Sequence, residues 1–313
     1  MRMTSVLRKG VLPESFKRQW NNIVQRRVDA YNDYLQTNFP KIYELQKALT
    51  TGVKQILIEG KEYGGAVYQA RILRKPWEDL SYRQIYLRNQ YPRELWKLGP
   101  VLAIMALPFS TFALLPIIYF FPKYFLTHHF WTDAQKKAFA ASQITSRLRA
   151  VPHLALDLHA RLPLIKDPNN RDACASLLSK LKEGRLIHER DILDAQDEFQ
   201  RGVFRYDKLS VDHQTSLAKL NHIFSLNATY TARNIGLADS YLEKHPDFQL
   251  SNQEVRDAVL TRCLYPFADQ ERLRDFLDVW TSTSTLIKEP SVSLRLHLPV
   301  FLSYPHPVNA EFR

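Results

Sequence analysis

Ten histidines, two cysteines and 32 acidic residues are what this 313-residue chain has for chemistry, and their spacing decides what they can do. His128 and His129 are neighbours, and adjacent helical side chains point about 100° apart, a poor arrangement for chelating one ion. Followed by Phe130 and Trp131, they read instead as an interfacial anchor, His129, Phe130 and Trp131, where a chain leaves a membrane. His153 and His159 fall on opposed helix faces. Glu189, Asp191, Asp194, Asp197 and Glu198 lack the loop glycine and alternate spacing of a calcium loop, so they read as a solvated helix face. Cys174 and Cys263 are far apart, with no CxxC grouping, which points to a reducing compartment rather than a disulfide framework. HExxH, GxSxG, P-loop and EF-hand patterns do not occur. The expectation is a chain that is not an enzyme and holds neither cofactor nor metal.

The element that would position everything else is the run LGPVLAIMALPFSTFALLPIIYFFP, residues 98–122, uncharged and fenced by Lys97 and Lys123. About 20 helical residues cross a hydrocarbon core of roughly 30 Å, so the run is long enough to span with some tilt. Thirteen Leu, Ile, Val and Phe residues favour insertion, at roughly 0.3–0.6 kcal/mol each near the bilayer centre. Pro100, Pro108 and Pro116 break the pattern. Lipid tolerates such prolines when Ser and Thr side chains or neighbouring protein satisfy the freed carbonyls, and Ser110 and Thr111 follow Pro108 closely. One such run per chain argues against a pore lined by several helices of a single chain.

Charge is uneven. Residues 1–122 hold 18 Lys/Arg against 9 Asp/Glu, while residues 123–313 hold 25 against 23. The second half therefore resembles a solvated helical surface more than a nucleic-acid-binding face. The first 28 residues carry seven basic residues and one acid, Glu14, with Leu12, Phe16, Trp20 and Ile23 at helical spacing. That is the composition of a mitochondrial transit segment; a basic amphipathic helix lying on an anionic membrane is the alternative.

Nearly everything else reads as helix. The pattern predicts a helix from Pro13 to about Asn38 and another from Lys41 to about Tyr63, ended by Gly64-Gly65. A basic connector from Arg71 leads to the run. Capping boxes at Thr132/Gln135 and Ser251/Glu254 mark helix starts, as do Asp167-Pro168 and Ser210. Glu189–Arg201 reads as one helix, Thr229–His245 as a helix broken at Gly236, residues 268–281 as amphipathic helix, and 286–307 as apolar and extended. The expected class is all-α: a single proline-broken transmembrane helix followed by a helical bundle. Its segments are a basic N-terminal part (1–30), a helical pre-membrane region (31–97), the span (98–122) and the bundle (123–313).

The motifs Leu107-Pro108-Phe109, Leu114-Leu115-Pro116 and Phe121-Pro122 are similar to the membrane segment of the leucine-zipper/EF-hand-containing transmembrane (LETM) family. FPKYFLTHHFWTDAQKKAF (121–139) and LSNQEVRDAVLTRCL (250–264) resemble its short branch, as do LRDFLDVWTSTSTL (273–286) and LPVFLSY (298–304). The similarity runs from about Phe39 to Tyr304. It implies a mitochondrial inner-membrane protein whose C-terminal part, a ribosome-binding-like bundle resembling 14-3-3, lies in the matrix. Pro108, Phe109, Leu115, Pro116, Phe121 and Pro122 would form the membrane motif. Long members are associated with cation/proton exchange and with mitochondrial ribosomes. They carry a glutamate between the span prolines, where this chain has Ser110 and Thr111 and one additional residue, and they carry an EF-hand and coiled-coil extension that is absent by Arg313. The short branch is tied to mitochondrial structure and respiratory function.

Two functions follow as expectations. One is a membrane-anchored adaptor binding partner proteins, the mitochondrial ribosome or a second copy of itself, with Lys180, Lys182, Arg185, Arg256, Arg262, Arg272 and Arg274 as candidate contacts. The other is a cation/proton antiporter. A peripheral helical protein with no true span is the third option. Flanking lysines leave sidedness open on charge alone.

Overall fold

The computed structural model describes residues 40–105, 122–223, 228–245, 250–287 and 291–313, with scattered positions between 26 and 38. Those residues are helical or turn, without a strand among them, as the sequence pattern predicts for an all-α chain. Packing divides the chain into Met1–Leu57 and Ile58–Arg313. The boundary is not at the apolar run. Residues 58–97, read as part of a separate pre-membrane region, belong to the same body as the bundle that follows the run.

Helix α1 spans Pro40–Arg71. A turn through Trp77–Asp79 leads to α2, Tyr82–Met105. After residue 121 come α3 (Pro122–Phe125) and a 3-10 turn, His128–Phe130. The bundle continues with α4 (Asp133–Leu148), α5 (Val151–Arg161), α6 (Pro168–Lys182), α7 (Glu189–Asp194) and α8 (Gln196–Gln200). Then come α9 (Val211–Leu220), α10 (Ala228–Lys244), α11 (Asn252–Thr261), α12 (Gln270–Leu286) and α13 (Val292–Leu298). A π turn, Pro299–Ser303, and a 3-10 turn, Pro307–Phe312, close the chain.

Local chemistry explains the starts. Both predicted capping boxes form, Thr132 with Gln135 and Ser251 with Glu254, and Ser210 accepts from His213 N–H. Each cap satisfies donors that the first helical turn leaves orphaned, worth about 1 kcal/mol. Asp167 caps α6, which stops where Gly184 takes φ +67°, a conformation that suits glycine. α10 packs on α12 and α13 around a core in which Trp280, Phe199, Phe204 and Phe301 are fully buried, each contributing roughly 1.5–3 kcal/mol from lost apolar exposure. One charged pair sits inside that core: Arg262 donates to Asp239, which also accepts from Trp280 Nε1 at 3.2 Å and Ser284 Oγ at 2.5 Å.

Several expectations are corrected. α1 passes through Gly64-Gly65, because both glycines lie on its open side while Ala66 is buried beneath them. The basic connector from 71 to 97 is mostly α2, opened by an unread capping box in which Ser81 N–H donates to Gln84 Oε1 at 3.1 Å. Gly236 does not break α10; it makes room for Arg295, whose Nη1 would lie 2.9 Å from an added Cβ. The 189–201 helix is broken at Ala195. The stretch expected to be extended holds α13 and the π turn. Residues 293–303 are buried on every side, so no periodicity marks a face.

The predicted helix before Asn38 and the segment 1–30 lie largely outside the described residues. So does most of the apolar run, including Pro108, Phe109, Leu115, Pro116 and Phe121. Its first residues, 98–105, are helical and continue α2; Pro122 opens α3. Among the described residues no helix is long and apolar enough to cross a membrane.

Candidate functional site

Four segments bring ionisable side chains to one buried place at the base of the apolar run. α1 supplies Glu59 at a point where Gly60 lets Tyr91 of α2 approach; an added Cβ there would collide with the Tyr91 hydroxyl. α2 supplies Arg83 and Glu94 on one face, continued by Leu87 and Gln90 at helical spacing. The 3-10 turn supplies His128 and His129, and α11 supplies Asp257.

Glu59 is the hub. Its Oε1 accepts from Arg83 Nη2 at 2.6 Å, and its Oε2 lies 3.0 Å from His129 Nε2. Nδ1 of His129 lies 3.1 Å from the Thr127 hydroxyl. His129 Nε2–H donates to Glu59, and Nδ1 pairs with the Thr127 hydroxyl, so both ring nitrogens are engaged. His128 Nδ1 lies 2.8 Å from Glu94 Oε1, which also accepts from Gln90 Nε2 at 2.8 Å. Glu94 Oε2 is buried with no hydrogen bond and lies 3.6 Å from His129 Nδ1. The two histidine rings sit 3.9 Å apart. Arg83 also reaches Glu62 at 3.4 Å and Asp257 at 3.9 Å.

Burial and charge pull these groups in different directions. Burial alone would raise Glu59, but the His129 hydrogen bond and charge, with Arg83, hold its carboxyl at about 2. Asp257 is pushed up to about 6 by burial, against the opposing pull of His128 and Arg83. Burial disfavours charge on His128, yet the hydrogen bond and charge of Glu94 raise it above the ordinary histidine value. Near neutral pH the cluster therefore has titratable partners on both sides of a fixed Arg83–Glu59 pair, a setting in which a proton can be taken up and released. Glu59, His128 and His129 also lie close enough to share a metal ion. To do so, Glu59 and both histidines would have to exchange hydrogen bonds already made. The donor set of imidazole and carboxylate suits a divalent transition ion.

The sequence pattern points to some of these residues, though not to their surroundings. His129 and Phe130, two of the residues read as a membrane-exit anchor, are buried within the protein. Trp131 packs edge-on against Phe139, with Lys97 Nζ 5.2 Å from its ring centre. Glu59, Arg83, Glu94 and Asp257 carry no local signal; the α2 face alone was there to be read.

The candidate contact residues scatter over the bundle. Arg262 is buried on Asp239 and is structural. Arg274 donates to Leu250 O at 3.0 Å, and Arg256 lies over the Phe267 ring. Lys180 pairs with Asp191 at 2.7 Å and Arg185 with Glu183 at 2.8 Å. Lys182, Arg185 and Arg272 are exposed. The acidic group at 189–198 is only partly a solvated face. Glu198 is buried, accepting from Val203 N at 3.1 Å and from Asn170 at 3.3 Å. A second chain, buried at its histidines and half-buried at Asp157, links Asp157 to His213 (2.6 Å) and His213 to His297 (2.8 Å). It ends on the Ser293 carbonyl at 2.7 Å, an acceptor and not a nucleophile, so it is not a catalytic triad.

Comparison with known proteins now defines the class. A family model described as LETM1-like, RBD matches residues 80–301, and the chain belongs to that family. Curated relatives include proteins named LETM1 domain-containing protein 1. The Xenopus tropicalis protein is 25% identical, covering 88% of this chain and 81% of the relative. The Homo sapiens protein is 26% identical, covering 87% and 78%. The Bos taurus protein is 27% identical over the same shares. No solved structure matches.

Proposed function

We propose that this chain is a non-enzymatic adaptor of the mitochondrial inner membrane, held there by residues 98–122. Its helical body, in the matrix, binds partner proteins or the mitochondrial ribosome, and so supports mitochondrial structure and respiratory function. The supporting observation is the family match over residues 80–301, described as LETM1-like, RBD, which fits the ribosome-binding-like bundle that the resemblance implies. The near balance of charge after residue 123 favours protein contacts at least as much as RNA. Co-sedimentation of the detergent-solubilised full chain with purified mitochondrial ribosomes across a salt series tests this. If phosphates are neutralised, binding falls steeply with salt. No co-sedimentation at low salt removes the ribosome reading.

The buried cluster favours a second reading, a cation/proton antiporter, because titratable carboxylates and imidazoles stand where the uncharged run begins and ends. Flux through reconstituted liposomes that is lost in Glu59→Gln and Glu94→Gln supports it. Flux equal to empty vesicles, with insertion verified, disposes of it.

A further inference from the structure

Two fully buried histidines meet nitrogen to nitrogen inside the bundle. His213 of α9 and His297 of α13 are both 0% exposed, and their Nε2 atoms face each other at 2.8 Å. The outer nitrogens are also engaged. His213 Nδ1 lies 2.6 Å from Asp157 Oδ2 of α5, and His297 Nδ1 lies 2.7 Å from the Ser293 carbonyl.

Hydrogen balance sets the state of this chain. A carbonyl oxygen only accepts, so His297 Nδ1 carries a hydrogen. Asp157 Oδ2 already accepts from Arg161 Nε at 3.2 Å, and as a carboxylate oxygen it accepts a second hydrogen from His213 Nδ1. A neutral imidazole has one N–H, so two neutral rings spend both of theirs on these outer bonds. Two lone pairs would then confront each other at the buried Nε2 atoms. The inner bond needs a third proton.

A proton fits this gap and a metal ion does not. Two imidazole nitrogens on a tetrahedral zinc, each at about 2.0–2.1 Å, stand about 3.3 Å apart. The side chains flanking His297, Phe199 and Phe301, bring no further ligand. The surrounding charges have other partners. His153 of α5 lies 3.4 Å from Ser216, and Arg147 of α4 donates to the carbonyls of Leu220, Leu260 and Thr261. Glu198 of α8 bonds to Asn170 and Val203 N, Arg295 of α13 to Ser284, and Asp239 of α10 to Arg262. Asp157 is the negative charge that meets His213 directly. Burial pulls His213 below the ordinary imidazole value against the hydrogen bond and charge of Asp157, and burial with the neighbouring His213 draws His297 to about 3. The third proton therefore belongs on His213 and is loosely held.

We propose that Asp157, His213 and His297 form a proton-binding site that latches α13 to α5 and α9. With the third proton bound the chain closes as described; with it released the Nε2–Nε2 bond opens and α13 loosens from α9. The closed form binds one more proton than the open form, so falling pH closes the latch and rising pH opens it.

The test uses the full chain in detergent, labelled with nitrogen-15 histidine. Long-range proton–nitrogen NMR, between about pH 5 and pH 8, reads each ring nitrogen as protonated or bare. His213→Gln and His297→Gln identify the two rings. At the acid end His213 should carry hydrogen on both nitrogens and His297 on Nδ1 alone, and both rings should change in one step as pH rises. Asp157→Asn keeps the shape of the site and should move that step about 1–3 pH units lower, or out of the range. Hydrogen-exchange protection of residues 292–298 should fall above the step. Two neutral rings throughout in the parent, separate titrations, a step that Asp157→Asn leaves in place, or protection that ignores the step would each overturn the proposal. Metal analysis of the same sample is the remaining arm. A metal ion that is present in the parent and lost in a folded His213→Gln chain makes the pair a metal site, and the proton reading falls.

Discussion

Replacing Glu59 by glutamine removes the charge at the hub of the buried cluster while keeping its shape. The carboxyl is held at about 2 against an ordinary 4.5, and each pH unit of such displacement is about 1.4 kcal/mol. The native state is thus favoured by roughly 3 kcal/mol at neutral pH. The side chain is only 4% exposed, so solvent screening takes little from this figure. The folded value lies below the unfolded one. The contribution is therefore complete above about pH 4.5 and fades as pH falls toward 2. For a body of this size about 2–4 °C accompanies each kcal/mol, so Glu59→Gln should melt roughly 6–12 °C lower at pH 7. At pH 3 the gap between variant and parent should narrow markedly. The measurement is a circular-dichroism melt of the full chain in detergent at both pH values. A gap of equal size at pH 3 and pH 7 would mean that packing and not charge holds Glu59, and the electrostatic account of the site would be wrong.

Three other outcomes are expected. Gly60→Val should destabilise by about 1–3 kcal/mol because a side chain there collides with Tyr91, whereas Gly64→Ala, with nothing within 4 Å, should stabilise by about 0.5–1 kcal/mol; paired denaturant titrations read both signs. Asp239→Ala strands buried Arg262 and should cost about 3–5 kcal/mol, seen as a lower urea midpoint with an unchanged slope. Cys174, whose thiol burial pushes up to about 12, should resist iodoacetamide in the folded chain and react once it is unfolded; rapid native labelling would contradict its place in the core.

The helix starts at Asp133, Val211 and Asn252 were legible because a cap is settled within three residues of itself. The same device at Ser81 and Gln84 went unread beneath a dense run of basic residues. Gly64-Gly65 and Gly236 misled in opposite ways. Glycine marks a stop only where the chain needs its freedom, and at Gly236 the absent side chain instead makes space for Arg295. The 293–303 stretch hid its helical turns because burial on all sides erases the polar face that periodicity relies on. As for the candidate site, His128 and His129 drew notice, but Glu59 meets its histidine across 70 residues and nothing near it in sequence says so.

Sequence alone determined what depends on near neighbours: an all-helical chain, its caps, and an uncharged run fenced by lysines. Family membership, too, is carried by local blocks. Tertiary structure decided which charges are buried together and which segments, distant along the chain, share one core. Those outcomes depend on distances in space between residues far apart along the chain, and desolvation and charge pairing act through such distances whatever the separation in sequence.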